Sequence, residues 1–412
     1  MKRVLSIIVC SVIIVYSLAG CSIDISNWIS NKDLSFDKEK IEKSVVEANT
    51  QFAFDIFKEL NKEDKGKNIF ISPFSISAAL SMTYQGANGT TKEVMSNALR
   101  YKEIDINILN ESYKNLLRYL KQVDSKIELD INNSIWIREG ENIKEDFLSV
   151  NREVFDAYIA EIDFSKEDAA DKINNWISDS TKGKIKKMIT SPISSQVVMY
   201  LINAIYFKGE WTEKFDKRKT FNSKFYTNEG KTKDVMMMYR KGNVEYVQGD
   251  DYRAVRLPYG NGKTSMYCIL PNEDISINQF IEDMTQDKWE EIRKSVSETK
   301  DVILQIPRFK IEYGIKKLND SLAALGMGEA FSINADFSGI REGIFISRVL
   351  HKAVIEVNEE GSEAVGVTVE ENTKSAIMEK PITFIVNRPF VFIITDGETG
   401  TILFMGKLCD ID

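Results

Sequence analysis

One segment limits what this chain can fold into. Residues 352–358 are strand-like and end in Glu359, Glu360 and Gly361. A second strand-like run covers residues 382–390. The residues after Gly361 read SEAVGVTVE, where small or polar side chains alternate with apolar or charged ones. That is the period of a strand. A linker that needs only flexibility is rich in Gly and Ser. The patterning therefore predicts a segment that is a loop in one state and a strand in another.

The rest of the chain sets the frame for that segment. Its 412 residues suffice for one large domain or two ordinary ones. With 43% apolar and 28% charged residues it reads as globular rather than disordered. Helical patterning dominates the first half and strand patterning the second, with no repeat or low-complexity linker between them. That order predicts one α+β domain with helices packed on antiparallel sheets. The net charge of −8 comes from mixed signs, and no Lys/Arg block marks a nucleic-acid partner. The single histidine, His351, opens a strand-like run and reads as a packed, hydrogen-bonded core residue. A two-His metal site cannot be built, and any Ser-His or Cys-His couple would need His351 itself. No phosphate loop, metal cluster or nucleophile elbow is visible, so neither an enzyme nor a cofactor or metal is expected. Cys268 and Cys409 lie in apolar strand-like segments and read as buried thiols, with a disulfide between them left open.

The N-terminus reads as an address. Residues 1–20 carry Lys2 and Arg3 followed by an apolar run, the pattern of a secretory signal. Leu18, Ala19, Gly20 and Cys21 match a bacterial lipobox, with cleavage before Cys21 and lipid on its thiol. Cleavage there removes two positive charges and takes the net charge from −8 to −10. Residues 21–36 then read as a polar tether. The expected location is the extracellular face of the cell membrane, with the lipid as the membrane contact. A solute-binding lipoprotein would share this start but should show two lobes of alternating strands and helices, and the pattern here does not.

Periodicity places helices at 36–60, 75–85, 91–99, 107–123, 144–155, 169–181, 275–297 and 315–325. Strands are expected at 68–71, 126–138, 197–207 and 301–311, with short strands through 221–271 and mostly β structure from 344 on.

These segments carry a resemblance. Residues 68–80 (NIFISPFSISAAL), 173–177 (INNWI) with 181–185 (TKGKI), 201–211 (LINAIYFKGEW), 335–340 (ADFSGI), 351–354 (HKAV) and 386–393 (VNRPFVFI) resemble the signatures of the serpin family of protease inhibitors. The resemblance runs over residues 37–409. It implies a single serpin domain over 37–412, with about nine helices packed on three mostly antiparallel β-sheets and an exposed reactive-centre loop at about 359–381. It implies a polar "shutter" of Ser72, Ser75, Asn203 and His351 where the main sheet parts. Such residues make physical sense as one network, because a buried hydroxyl, amide or imidazole left unpaired costs about 1–3 kcal/mol. At the "breach", where the loop enters, it implies Trp211 and an ion pair between Glu359 and Arg308.

The same resemblance implies function. A target serine endopeptidase, with cysteine endopeptidases as a second class, would cleave the loop and be trapped as an acyl complex while the loop inserts into the main sheet. The inhibitor itself is expected to be a monomer. The hinge Gly361, Ser362, Glu363, Ala364, Gly366 and Thr368 suits insertion. Its inward positions Ser362, Ala364, Gly366 and Thr368 are small and uncharged, and no proline interrupts residues 361–380. About ten new ladder bonds at roughly 1 kcal/mol each would drive the step. Glu370 continues the inward parity and is expected near the sheet's solvated end. The scissile bond counts forward from Gly361 to Ser375-Ala376, with Lys374-Ser375 beside it, and backward from Asn387 to Met378-Glu379. Cleavage is expected within Lys374, Ser375 and Ala376, with Met378 as the alternative. The remaining alternative is a non-inhibitory serpin acting as a binding or surface protein.

Overall fold

Three strands of mostly buried or half-buried residues form one side of the main sheet: Ile127–Arg138 (β1), Tyr158–Ile162 (β2) and Met199–Glu210 (β3). The computed structural model describes residues 35–362 and 381–411. β1 and β3 run antiparallel in unbroken register, from Ile127 opposite Gly209 to Ile137 opposite Met199. β2 adds to the far edge of β1 in parallel. On the other side of β3 stand Phe309–Glu312 (β4), Val354–Asn358 (β5) and the two-residue strand Gly361–Ser362 (β6). The sheet order is β4-β5-β6-β3-β1-β2.

A second sheet of nine strands is built mainly from the C-terminal half, and its neighbouring strands Phe390–Asp396 and Ile402–Leu408 are buried at every residue. A third pairs Lys316–Lys317 with Leu350–His351. Among the described residues there are nine α-helices. The arrangement is α+β.

Two helices position the site. Pro73–Tyr84 (α1) is buried along nearly its whole length, because it is sandwiched between sheets. Ser72 caps it by accepting from the Ser75 amide, and Pro73 sits where no helical N–H is needed. Ala169–Ser180 (α2) lies on the outer face of the main sheet, where Trp176 meets Trp136 of β1 and Tyr158 of β2 at 6.3 and 6.4 Å between ring centroids. The two large sheets touch through aromatic rings: Phe404 is 5.3 Å from Phe70 and 5.8 Å from Phe207 of β3.

The structure corrects four local expectations. The single helix at 275–297 is two, Ile277–Asp283 and Gln286–Ser295. Met284 is extended (φ −67°, ψ 125°), and Thr285 starts the second by capping the Lys288 amide. The strand at 301–311 is divided between two sheets, Ser297–Pro307 and β4, because Arg308 turns its amide to Met236. The helix at 315–325 begins later than expected: Lys316–Lys317 is a short strand, Asn319–Leu322 is helical, and Ala323–Met327 continues it as a wider helical turn in which Gly326 takes φ +99°. β2 was not expected, being five residues of weak alternation. Cys268 and Cys409 are buried free thiols.

Because Phe404 fills the space between the two large sheets, Phe404→Ala should cost about 3–5 kcal/mol of unfolding free energy. Denaturant unfolding followed by circular dichroism measures this; a cost below about 1 kcal/mol would show that the rings around it close the gap.

Candidate functional site

The main sheet is parted beside one of its two longest strands. β3 is paired to β1 along its length, and among the described residues its other edge has partners at Gly209 and Glu210, which face Ser362 and Gly361. β5 returns into β6 through the two-residue turn Glu359-Glu360, with Asn358 opposite Gly361 and Val357 opposite Ser362. β6 is thus a seed of a strand wedged between β5 and β3. Below it the two edges diverge around a cleft of 420 Å³ lined by Ile205, Tyr206 and Phe207 of β3, Val354 and Ile355 of β5, and Phe404 beneath. A second cavity of 750 Å³ follows the same strands past Asn203 and His351, over Ile76 and Leu80 of α1.

Glycine is required at the seed. Gly361 has φ +151°, and a Cβ there would stand 2.0 Å from the Gly209 carbonyl oxygen. Ser362 points inward and shares a 2.7 Å hydrogen bond with the Tyr259 hydroxyl. Tyr259 stacks on Trp211 at 4.3 Å and 13°, and a Cβ on Gly209 would press on its ring at 2.9 Å. Trp211 closes the corner: its indole donates to the Asn358 carbonyl at 2.9 Å and its amide to the Glu360 carbonyl at 2.8 Å.

The Glu359 carboxylate is 1% exposed. Arg308 donates to both its oxygens from Nε, at 2.7 and 2.8 Å, and approaches again through Nη2 at 2.6 Å. The Thr220 hydroxyl donates to the same carboxylate. Burial pushes the Glu359 pKa up, but these donors outweigh it and hold the carboxyl below its ordinary value.

A polar chain crosses the parting lower down. The Ser72 hydroxyl donates to the Leu403 carbonyl at 2.7 Å and accepts from the Ser75 amide. The Ser75 hydroxyl donates to Asn203 Oδ1, Asn203 Nδ2 to Asn133 Oδ1 at 2.7 Å, and Asn133 Nδ2 to the Phe155 carbonyl at 2.6 Å. His351 joins from β5's side by accepting the Ser72 amide on Nε2 at 3.1 Å. Nε2 is therefore the unprotonated nitrogen and the ring is neutral. Burial lowers the His351 pKa to about 4.

The structure thus brings Arg308, Glu359 and Trp211 together at the top of the parted sheet, and Ser72, Ser75, Asn203 and His351 lower down. His351 touches the Ser72 backbone, not the hydroxyls of the sequence-expected network. Sequence reasoning missed Asn133, Tyr259, Thr220 and the partners of Glu360. Asn133 had a signal: an amide at an inward position of an apolar strand needs a buried partner. Glu363, Ala364, Gly366, Thr368, Lys374, Ser375, Ala376, Met378 and Cys21 lie outside the described residues.

His351 is the only histidine, so its titration is isolated. Its folded pKa lies below its unfolded value, so the unfolded chain binds the proton first. The stability it contributes is intact above pH 6.5 and is lost as pH falls toward about 4. We expect a loss on the order of 3 kcal/mol across that window, seen as a falling melting temperature that flattens in His351→Gln. A slope unchanged in His351→Gln would assign it to carboxylates.

Comparison with known proteins agrees with this geometry. A family model described as Serpin (serine protease inhibitor) matches residues 47–411. The chain is 35% identical to the leukocyte elastase inhibitor of Bos taurus, covering 88% of this chain and 98% of that protein. It is 34% identical to intracellular coagulation inhibitor 2 of Tachypleus tridentatus, covering 92% and 95%. The crystal structure of the thermophilic serpin tengpin in its native state superposes with a TM-score of 0.80 at 34% identity, covering 92% of this chain and 95% of that one. One correction follows. The expectation about enzyme activity drawn from the single histidine and the missing motifs gives way to the family assignment, in which relatives are named as inhibitors. The chain belongs to the serpin family.

Proposed function

We propose that this serpin inhibits serine endopeptidases, with cysteine endopeptidases as a second class, by suicide-substrate trapping. The seed strand β6 carries the reading. The hinge already has its first two residues paired on both sides, at the head of an open slot. Insertion then requires only propagation, which adds ladder bonds along edges that have no other partner among the described residues.

The seed's two registers support it. Continued down β3, they set residue 364 opposite Phe207, 366 opposite Ile205 and 368 opposite Asn203. Continued along β5, they set residue 368 opposite His351. Both counts meet at the two polar residues that flank the parting, so the small inward side chains would run over the aromatic floor and a threonine would reach the polar chain. Glu370 comes opposite Leu201 and Val349, at the wider cavity. Cleavage within Lys374, Ser375 and Ala376, or at Met378, would free the segment at its far end. The acyl-bound protease would travel with it and lose its active-site geometry, which is the family's known way of releasing stored strain.

We further propose that the chain is a lipoprotein held by Cys21 at the extracellular face of the membrane, placing a monomeric inhibitor where secreted proteases act. Labelled palmitate should enter the wild type and not Cys21→Ser; equal labelling removes the anchor.

Incubation with trypsin should give a complex stable in SDS, a C-terminal fragment starting at Ser375 or Ala376 by mass spectrometry, and a cleaved form that melts well above the intact one. A fragment starting at Glu379 moves the bait to Met378. Cleavage without complex and without gain in melting temperature would make this a non-inhibitory serpin. Gly361→Ala, which cannot hold the seed, should turn the inhibitor into a substrate, raising turnover at least about fivefold if the strained position costs 1–3 kcal/mol; unaltered inhibition would detach function from the seed.

A further inference from the structure

The turn that starts the seed strand carries two acidic residues, and the second, Glu360, has its own cationic partners. Its side chain is nearly as buried as that of Glu359, the residue being 4% exposed. Oε1 lies 3.0 Å from Lys217 Nζ and Oε2 lies 3.0 Å from Lys214 Nζ. Lys214 also reaches Glu210 Oε2 at 2.7 Å, and Glu210 is the β3 residue opposite Gly361. The ion pairs therefore join the turn to the strand on which the seed is registered. The backbone repeats the join: Trp211 donates to the Glu360 carbonyl, Phe215 to that of Glu359, and the Glu360 amide donates to Asn358 Oδ1 at 3.0 Å. Burial pushes the Glu360 pKa up, and the two lysines bring it below its ordinary value.

We propose that Glu360 is a positioning residue for loop insertion, and that with Lys214 and Lys217 it forms an ionic latch holding Gly361 and Ser362 in register. This rests on the inhibitory reading above. Trapping is a race. After acylation, either the loop inserts, or water attacks the ester carbonyl and the protease serine leaves with its proton restored. A latched turn propagates the seed at once. An unlatched one lets it peel from β3, and hydrolysis gains.

The latch differs from the Arg308–Glu359 pair in its response to salt. The Lys214 and Lys217 side chains are 33% and 45% exposed, so ions reach the cationic side of the pair. Arg308 is 40% exposed as well, so the contrast rests on its grip: the guanidinium holds the buried Glu359 carboxylate through several bonds in fixed geometry, where each lysine offers a single ammonium.

The test uses the full chain against trypsin, comparing wild type, Glu360→Gln, Lys214→Ala/Lys217→Ala and the charge-swapped Glu360→Lys/Lys217→Glu. Stoichiometry of inhibition and loop-cleavage rate are read at about 0.05 and about 1 M NaCl. We expect Glu360→Gln to raise the stoichiometry about two- to fivefold with the cleavage rate unchanged. High salt should move the wild type toward the variant and leave the variant unmoved, and the swapped pair should recover part of the loss. Wild-type stoichiometry and salt response in Glu360→Gln would overturn the latch, as would a swapped pair no better than Glu360→Gln. Should the wild type form no covalent complex, the inhibitory reading fails. The latch is then decided by hydrogen exchange at the Gly361 and Ser362 amides, which accelerates in Glu360→Gln if it exists and is unchanged if it does not.

Discussion

The open edge between β3 and β5 is the constraint on which the rest of this structure depends. A strand edge inside a sheet leaves amides and carbonyls without their strand partners, and buried backbone groups without partners are costly. Other serviceable sheets close such an edge or twist it away. Among the described residues such an edge is kept, flanked by 420 and 750 Å³ of space, with Gly361 and Ser362 paired at its head. Local chemistry lines the parting at two levels, one built on charge and one on neutral hydrogen bonds.

Those two levels suit their surroundings. At the top, loop and strand meet at a tight turn near solvent, where bidentate Arg308 and the lysines around Glu360 can compensate two carboxylates. Lower down, the parting is covered by α1 within and by α2 and its following segment without. There a charge would be expensive, and the residues are Ser, Asn and a neutral His. Each donor in the chain from Ser75 to Phe155 has one acceptor, so moving any member frees a partner.

Much of this was legible in the sequence for physical reasons. The continuous apolar run at 197–207 belongs to a central strand that is buried or half-buried along its whole length, and the helix expected from 75 starts two residues earlier, at Pro73 after the Ser72 cap. Arg308 and Glu359 came from family resemblance, since nothing in their separation of 51 residues suggests contact. What was illegible depends on distance in sequence and closeness in space. The division of 301–311 between two sheets follows from Arg308 finding Met236, which no window around 308 contains. Tyr259 stood unremarked among the short strands expected through 221–271, because its ring becomes important only after β3 has brought Gly209 beneath it. Glu360 stood only as part of the end of a strand-like run, and the fold alone gives it lysines of its own.

The hinge's small residues can be argued from the floor they would cross. Beneath β6 the space is already taken: the Tyr259 ring lies against Gly209 so closely that even a methyl group there would collide, and its hydroxyl meets the Ser362 hydroxyl. Phe207 packs edge-on against Tyr259 at 5.2 Å and Phe404 lies beyond it. A strand entering between β3 and β5 meets an aromatic surface that cannot retreat, since the second sheet backs it. Side chains of valine size at inward positions would have to displace rings, at a cost of about 1–3 kcal/mol each. A floor of rings and a ceiling of Ser, Ala and Gly are therefore complementary halves of one packing solution. The sequence of one half constrains the other, although more than a hundred residues separate Tyr259 from Ser362.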